Sequence, residues 1–522
     1  MGTDRSDKKS AGNKRGNNGK SAVDKRRNNN GSGFGNKGGH RRGAVKKAVD
    51  PDRITAYKAL LRIDKAKAYS NIELNSILSE KDPADIVVNP AFVRELVYGV
   101  IKNRRYLDYF IDDLARDGIE GVRREIAILL RMGLYQIIFM DSVPEHSAVD
   151  ETVKITKLLF PGRDGFVNGL LRSFIRKQNT YYSKPSDDSR KSESVSENKR
   201  DDVSGSEPVS DNKRDIPVPN ITDPIRRISV MYSCDEGLVR LLAGQYGTEK
   251  AEEILRVSLE TPPLYVRVNT IKTSSADLIS SLTDKGFKAD DQSPDFPDTL
   301  VVSGKGILET KEFKDGLFFV QDASSSQAMK EFGPEPGETL IDVCAAPGGK
   351  SFAAAILMDN SGVIHAMDLH GNKLRALTKQ AKRLGITIID TEEHDAKTIN
   401  KKYAASSSGN NEYGADKVLC DVPCSGLGVL RRKPEIKDRP LLNDGRDLAE
   451  IQYRILCSSA DYVKPGGELM YSTCTLNRIE NEKVTDRFIA GHDGFRVRCS
   501  KLTMPCSGGP DGFYYCIMQR VK

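Results

Sequence analysis

Two cysteines each stand at the end of a predicted strand, where a thiol could act as a nucleophile. Cys424 lies in the stretch Asp421-Val-Pro-Cys-Ser-Gly426, after a strand predicted over residues 417–420. Cys474 lies in Tyr471-Ser-Thr-Cys-Thr475, at the end of a strand predicted over residues 468–472. Because the carboxyl ends of parallel strands meet at one edge of a sheet, we expect both thiols at the same edge. A lone cysteine is more often a small buried hydrophobe, and we expect that of Cys234, Cys457, Cys499, Cys506 and Cys516.

A glycine-rich turn after another predicted strand is suited to hold a ligand. It runs from Asp342 through Cys344, Ala345, Ala346, Pro347, Gly348 and Gly349 to Lys350 and leads into a helix predicted over residues 351–358. The two glycines let the backbone approach a ligand closely, and the start of a helix favours negative charge. The spacing matches neither the GxGxxG motif nor the GxxxxGK[ST] motif, so dinucleotides and nucleoside triphosphates are weak candidates.

Two carboxylates follow the next predicted strands. Asp368 comes directly after the strand predicted over 363–367, and Asp395 follows the strand predicted over 386–389. An acidic residue at the first position typically accepts hydrogen bonds from ribose hydroxyls. Each Asp alone would more simply be a helix cap. In order after the glycine turn, they favour a nucleoside with a short charged tail, and S-adenosylmethionine is such a ligand.

A pair of thiols beside such a ligand suits methylation of a ring carbon that is a poor nucleophile, such as C5 of cytosine. A thiolate that adds at C6 creates an enamine, whose C5 can attack a sulfonium methyl group. A free thiol with a pKa near ~8.5 is only slightly ionised at pH 7, so the site must favour the thiolate. Asp421 suits a position near N3 of the ring, where charge builds up. The residues alone do not decide whether Cys424 or Cys474 is the nucleophile and which one assists.

The elements around these motifs predict a methyltransferase-type α/β domain over residues 311–522. Strands alternate with helices, which indicates a parallel, doubly wound, Rossmann-like sheet. Residues 51–178 predict an all-α bundle, because apolar residues recur at helical spacing and the run 126–140 is apolar enough for a buried helix. Residues 223–310 mix predicted helices with strands over 264–268 and 299–302, which indicates a small α/β unit.

Two segments have low-complexity composition. Residues 1–50 carry 14 Lys and Arg against 4 Asp, which predicts a disordered basic tail that either aids solubility or attracts phosphates. Residues 179–222 are rich in Ser, Asp, Lys and Glu, which predicts a flexible linker. The net charge of the chain is +7, so the part beyond the tail is slightly acidic and overall charge is poor evidence for nucleic-acid binding.

The cysteine count and the apolar stretches limit the other classes of protein. There are nine Cys and six His, with no CxxC pair, so neither a disulfide framework nor a zinc site is expected. No secretory signal and no stretch long enough to span a membrane is visible. We therefore expect a cytoplasmic monomer with no metal, no membrane contact and no DNA partner.

The motifs resemble those of the RNA cytosine-C5 methyltransferases of the Nop2/Sun family. The resemblance covers roughly residue 223 to the end of the chain. It rests on Arg267-Val-Asn269, Val320-Gln-Asp322, the turn 344–350, the two cysteine motifs and Glu480-Asn-Glu482.

The resemblance implies a set of site residues. S-adenosylmethionine would be held by residues 344–350, Asp368, Asp395 and Asp421, with Lys373 at a position that is often Arg in the family. Cys474 would be the nucleophile, and Cys424 would help release the product. The DNA cytosine-C5 methyltransferases use the cysteine of the Pro-Cys motif instead, which keeps Cys424 as the alternative nucleophile.

The helical half is similar to the NusB-type RNA-binding domain. The similarity rests on Leu96-Val-Tyr-Gly-Val100, Gly133-Leu-Tyr-Gln136, Val143-Pro-Glu-His146 and Gly165-Phe-Val-Asn-Gly-Leu-Leu-Arg172. A NusB-type domain joined to this catalytic domain implies small-subunit rRNA as the partner and cytosine 967 of 16S rRNA as the target. The chain departs from the family in having no Trp.

Two other functions compete with this hypothesis. A transfer-RNA cytosine-C5 methyltransferase would share the catalytic core, although the NusB-like half argues against it. A NusB-like RNA-binding assembly factor would not need Cys474, Cys424 and Asp421, which are all present. We also predict that the basic loop Arg431-Arg432-Lys433 contacts RNA phosphates, with a solvated turn as the alternative.

Overall fold

The computed structural model describes residues 49–66, 70–80, 87–181, 216–405, 414–439 and 442–521. The predicted basic tail, apart from its last two residues, and residues 182–215 of the predicted linker lie outside these ranges. None of the helices in the described ranges combines the length and the apolar character needed to cross a membrane.

The amino-terminal unit is helical, as predicted. Its helices are α1 (Pro51–Ala66), α2 (Ser70–Ser79), α3 (Pro90–Lys102), α4 (Arg104–Leu114), α5 (Arg124–Phe139), α6 (Glu145–Leu159) and α7 (Asp164–Tyr181). Helix α5 is buried along most of its length, because the other helices pack around it. Its buried Arg131 is tolerated because Asp108 accepts two hydrogen bonds from the guanidinium, at 2.6 and 3.0 Å.

A second unit has three helices followed by a small sheet. The helices are α8 (Pro224–Met231), α9 (Glu236–Tyr246) and α10 (Thr248–Val257). The sheet has the order β2-β3-β1-β4 and is antiparallel. Its elements in chain order are β1 (Leu264–Val268), α11 (Ser275–Thr283), β2 (Lys288–Asp291), β3 (Thr299–Ser303), α12 (Lys311–Lys314) and β4 (Phe318–Val320). Strand β4 pairs with β1, so the small sheet extends beyond the boundary predicted at residue 310.

The carboxyl-terminal unit carries the predicted catalytic residues and is called the catalytic unit. It is a seven-stranded sheet with helices on both faces. Its elements are α13 (Ala323–Phe332), β5 (Thr339–Asp342), α14 (Gly349–Leu357), β6 (Val363–Asp368), α15 (Gly371–Leu384), β7 (Ile389–Glu393), β8 (Ala415–Asp421), α16 (Arg446–Ala460), β9 (Val463–Thr473), α17 (Glu482–Gly491), β10 (Phe495–Thr503) and β11 (Phe513–Arg520).

The strand order is β10-β11-β9-β8-β5-β6-β7, and the chain reverses direction across the sheet between β5 and β8. Strands β5 to β9 are parallel, as predicted, but β11 runs antiparallel to β9 and β10, so the sheet is mixed. Strand β7 begins at Ile389 rather than Ile386, because Gly385 ends α15 in the left-handed conformation and Ile386 packs into the core below it.

Asn269 joins the small sheet to the catalytic unit. The side chain is fully buried, and its Nδ2 donates to the Gly316 and Leu384 carbonyl oxygens, each at 2.8 Å. Leu384 is the last residue of α15, so one amide satisfies a carbonyl that the helix itself leaves open. The Arg-Val-Asn motif seen in the sequence is therefore in part a structural joint.

Replacing Asn269 tests this joint. Both Asn269→Ala and the isosteric Asn269→Asp should lower the free energy of unfolding, by about 2–3 kcal/mol, because neither side chain can donate to two buried carbonyls. The measurement is the urea midpoint of the purified variants. A carboxylate would in addition face two carbonyl oxygens, so an Asn269→Asp variant as stable as the wild type would contradict the assignment.

Candidate active site

A cavity of about 900 Å³ opens where the strand order reverses. It lies beyond the carboxyl ends of the parallel strands, which is the usual ligand position in such sheets. Its lining includes most of the site residues that the sequence predicted, namely Cys344, Ala346, Pro347, Asp368, Lys373, Asp395, Asp421, Cys424 and Cys474.

The turn after β5 is shaped by one buried carboxylate and one glycine. Asp342 accepts hydrogen bonds from the Ser351 hydroxyl at 2.6 Å and the Cys344 backbone N–H at 3.3 Å. Burial raises the pKa of Asp342 to about 7. Gly348 has a φ of +112°, and a Cβ there would lie 2.4 Å from the Phe352 ring, so the turn requires glycine at this position. Sequence reasoning gave Asp342 no role, although it begins the motif.

Two predicted carboxylates line the cavity with different degrees of support. Asp368 is 8% exposed and accepts from the backbone N–H groups of His370 at 2.9 Å and Ala346 at 3.3 Å, so its orientation is fixed. Its remaining lone pairs suit the hydroxyls of a ribose. Asp395 is more exposed, and its carboxylate pairs with the Lys397 ammonium at 3.2 Å. Its position is therefore less firmly fixed than that of Asp368.

Lys350 does not line the cavity but supports a residue that does. Its ammonium lies 2.6 Å from Asp421, whose other oxygen accepts a hydrogen bond from Ser472 at 2.7 Å. Both partners hold the Asp421 carboxylate in a fixed orientation. The remaining predicted turn residues are also absent from the lining: Ala345 packs in the core, Gly348 shapes the turn and Gly349 begins α14.

The two thiols meet at the floor of the cavity. Cys424 Sγ and Cys474 Sγ are 3.2 Å apart, although 50 residues separate them in the chain. A hydrogen bond from Cys424 lowers the pKa of the Cys474 thiol, and the positive charges of Lys433 and Lys350 act in the same direction against burial and Asp421. The pKa of Cys424 is raised well above its ordinary value, by the same hydrogen bond and by burial. The arrangement thus favours a thiolate on Cys474 and a proton on Cys424.

A carboxylate without exposed surface clasps the two cysteine loops. Glu480 accepts from the Ser425 backbone N–H at 2.8 Å, Gln452 Nε2 at 3.0 Å and Asn477 Nδ2 at 3.0 Å. The hydroxyls of Ser425 and Thr475 lie 2.7 Å apart and join the loops a second time. The sequence marked Glu480 as part of a motif but gave no indication of this contact, because its partners are distant in the chain.

The predicted role of the basic loop is wrong for its two arginines. Arg431 is buried and donates to Asp511 Oδ1 at 2.6 Å, and Arg432 pairs with both Asp511 and Asp322. Their guanidinium groups therefore hold the loop before β11 in place. Lys433 is exposed and lines the cavity, so it alone of the three remains a candidate for RNA contact.

Three family models match successive parts of the chain. They are the NusB family over residues 50–176, the ferredoxin-like domain of RsmF/B-like methyltransferases over residues 236–307, and the 16S rRNA methyltransferase RsmB/F model over residues 329–509. The order of these models follows the order of the three folded units.

Curated relatives extend over nearly the whole chain. The probable ribosomal RNA small subunit methyltransferase B of Bacillus subtilis is 34% identical over 90% of this chain and 98% of its own length. The probable enzyme of the same name from Synechocystis is 31% identical over 87% and 92%. The crystal structure of PH0851 has a TM-score of 0.68 at 22% identity, covering 91% of this chain and 99% of that one, and so shares the fold.

The acidity of Cys474 can be measured directly. Because its pKa is lowered, alkylation of Cys474 by iodoacetamide should reach half its maximal rate at a lower pH than in Cys424→Ala, where the hydrogen-bond donor is lost. The rates are read by peptide mass spectrometry, with the exposed Cys506 in the same digest as a reference. Identical pH profiles in the two proteins would show that Cys424 does not tune Cys474.

Proposed function

The chain belongs to the 16S rRNA methyltransferase RsmB/F family, and from that premise we propose that it methylates C5 of a cytosine in small-subunit rRNA through a covalent bond between Cys474 and C6. The observation that carries the proposal is the pair of thiols 3.2 Å apart on the floor of the cavity. Methylation of an oxygen or an exocyclic nitrogen would need no thiol, whereas C5 of cytosine needs one.

The cavity fits S-adenosylmethionine, the cofactor of this class of methyltransferase. Asp368, with two fixed hydrogen bonds and free lone pairs, would hold the ribose hydroxyls. The backbone of the turn at Cys344 to Pro347 would contact the charged tail, and Asp395 would lie beside the base. The bound cofactor supplies a methyl group on a cationic sulfur, and the carboxylates on this wall favour positive charge.

The first covalent step forms a bond between Cys474 Sγ and C6 of the cytosine. The electron pair of the C5=C6 double bond becomes available at C5, and N3 takes a proton from water, which neutralises the charge on the ring. N3 returns this proton to water when the C5=C6 double bond forms again. The Asp421 carboxylate is held in place by Lys350 at 2.6 Å and by Ser472 at 2.7 Å. In the adduct the Asp421 carboxylate accepts a hydrogen bond from the N3–H group and so stabilises the protonated ring nitrogen.

The last step breaks the bond that the first one made. The C5 proton leaves to water, the C5=C6 double bond forms again, and Cys474 departs as a thiolate. The S–H group of Cys424 then donates a hydrogen bond to the departing sulfur and so favours release. We assign Cys474 as the nucleophile and Cys424 as the residue that assists product release, as the resemblance of the two cysteine motifs implies. The ammonium groups of Lys433 and Lys350, which favour a thiolate on Cys474, support this assignment.

The target is proposed from the family, namely cytosine 967 of 16S rRNA. A base reaches a cavity of this depth only when it leaves its stack. The helical unit and the small sheet lie beside the catalytic unit and offer further surface for recognition of RNA shape.

The test is a methylation assay with labelled S-adenosylmethionine and a small-subunit rRNA transcript, followed by digestion and identification of the labelled nucleoside. The wild type should give 5-methylcytosine and Cys474→Ala none, a loss of at least about 10³-fold because the covalent step is removed. Cys424→Ala should accumulate a protein–RNA adduct that survives denaturing electrophoresis.

Cys506→Ala is the matched control, since Cys506 is an exposed thiol away from the cavity lining. Activity retained in Cys474→Ala and lost in Cys424→Ala would reverse the two assignments. Label on a transfer-RNA transcript in place of the rRNA would refute the proposed substrate.

A further inference from the structure

A second cavity, of about 380 Å³, lies between the helical unit and the loop that follows the Pro-Cys motif. Its floor is aliphatic and is formed by Leu60, Val100 and Ile128 from α1, α3 and α5. Around it stand four arginines and three carboxylates, namely Arg104, Arg124, Arg131, Arg439, Asp64, Glu435 and Asp438. Arg131 is paired with Asp108 and Asp438 with Arg105. An apolar floor with a few positively charged groups at its rim is the usual character of a ligand site.

Asp64 sets the positions of two of these arginines. Its carboxylate oxygens lie 3.2 Å from Arg104 Nη1 and 3.0 Å from Arg124 Nε. The Asp64 side chain is 16% exposed, whereas the arginines keep 42% and 57% of their surface. Each guanidinium has five N–H donors, so most of them remain to bind an anion, while the ion pairs fix their direction.

The wall of this cavity is shared with the active site. Arg439 lines both cavities, and Ile436 of the same loop lines the active-site cavity. The loop is held firmly, because the buried Lys437 ammonium donates to the carbonyls of Lys102 at 3.1 Å and Tyr232 at 2.9 Å. The two cavities therefore adjoin at Arg439.

We propose that this cavity binds an unpaired nucleotide of the same RNA strand that delivers the target cytosine. The base lies on the aliphatic floor, and Arg104 and Arg124 bind its phosphate. The inference rests on the proposed function and assigns the nucleotide class and the residues of a second RNA subsite. Sequence-specific recognition of single-stranded RNA commonly uses splayed nucleotides, whose bases stack on aromatic side chains or on guanidinium planes. In this cavity the arginines supply the guanidinium planes.

A charge reversal at adjacent positions tests the subsite. Arg124→Glu reverses a guanidinium of the cavity, while Arg123→Glu makes the same change one residue earlier, on an exposed side chain outside the lining. Both positions lie at the start of α5, where a Glu is compatible with the helix dipole, so both variants should fold. Thermal unfolding of the two proteins checks this.

The measurements are KM and kcat for the rRNA transcript and, independently of turnover, RNA affinity by fluorescence anisotropy at several salt concentrations. Arg124→Glu should raise KM and weaken affinity about tenfold relative to Arg123→Glu, with kcat nearly unchanged, because a phosphate contact is lost. Arg124→Ala should reduce the slope of log affinity against log salt by about 1.

A photocrosslink locates the nucleotide. Transcripts substituted with 4-thiouridine should crosslink to peptides that contain Val100–Arg104 or Arg124–Ile128. Equal KM and affinity in Arg124→Glu and Arg123→Glu, with no crosslink in these peptides, would overturn the subsite and indicate a protein or small-molecule occupant. If the wild type methylates no RNA, the proposed function fails, and the affinity and crosslink results still decide whether RNA occupies the cavity.

Discussion

Glu480 is a carboxylate without exposed surface, and its three named hydrogen-bond donors belong to the Cys424 loop, to α16 and to the segment after Cys474. Burying a carboxylate costs several kcal/mol unless its lone pairs are satisfied. All three hydrogen bonds to Glu480 form only when both cysteine loops and α16 are in place.

A second constraint lies on the other side of Cys474, where its carbonyl accepts from the Gly428 backbone N–H at 2.9 Å. A Cβ on Gly428 would lie 2.1 Å from the Gly512 carbonyl oxygen. The loop of Gly428 therefore approaches the loop before β11 more closely than a side chain would allow.

The contacts of Glu480 keep the two sulfur atoms close together, and this closeness affects the acidity of both thiols. Thiols on two independent loops would rarely stay within hydrogen-bond distance, whereas the clasp keeps Cys424 and Cys474 at 3.2 Å. Burial alone would raise the pKa of both thiols and leave the site without a nucleophile. The hydrogen bond from Cys424 is the largest influence on Cys474, and the ammonium groups of Lys433 and Lys350 add to it. Asp421 acts against ionisation of Cys474, and its ion pair with Lys350 limits that effect.

Much of this site could be predicted from the sequence, because topology alone brings the strand ends together. That rule accounts for the turn after β5, for Asp368 at the end of β6 and for the two cysteines after β8 and β9. The features that the sequence did not predict depend on contacts between residues that are distant in the chain. The local sequence around Arg431 predicts a solvent-exposed side chain. In the structure Arg431 is buried and donates to Asp511, which lies 80 residues later in the chain. Strand β4 is three residues long and is defined by its pairing with β1, so no local pattern places it in the small sheet. The clasp by Glu480 was missed for the same reason.

Lys437 shows how the helical unit is coupled to this site. Burial lowers the pKa of its ammonium to about 8, because removing a positive charge from water costs free energy. The two carbonyls that the ammonium binds explain why the buried charge is tolerated. Lys102 ends α3 and Tyr232 caps α8, and both helix ends present carbonyls without an intrahelical partner and the negative end of the helix dipole. One ammonium thus joins two helix ends to the loop that separates the two cavities. A rotation of the helical unit would remove the Lys102 carbonyl and leave the buried ammonium without one of these two hydrogen bonds, and such a state is disfavoured. The wall of the active site is for this reason set partly by helices outside the catalytic unit.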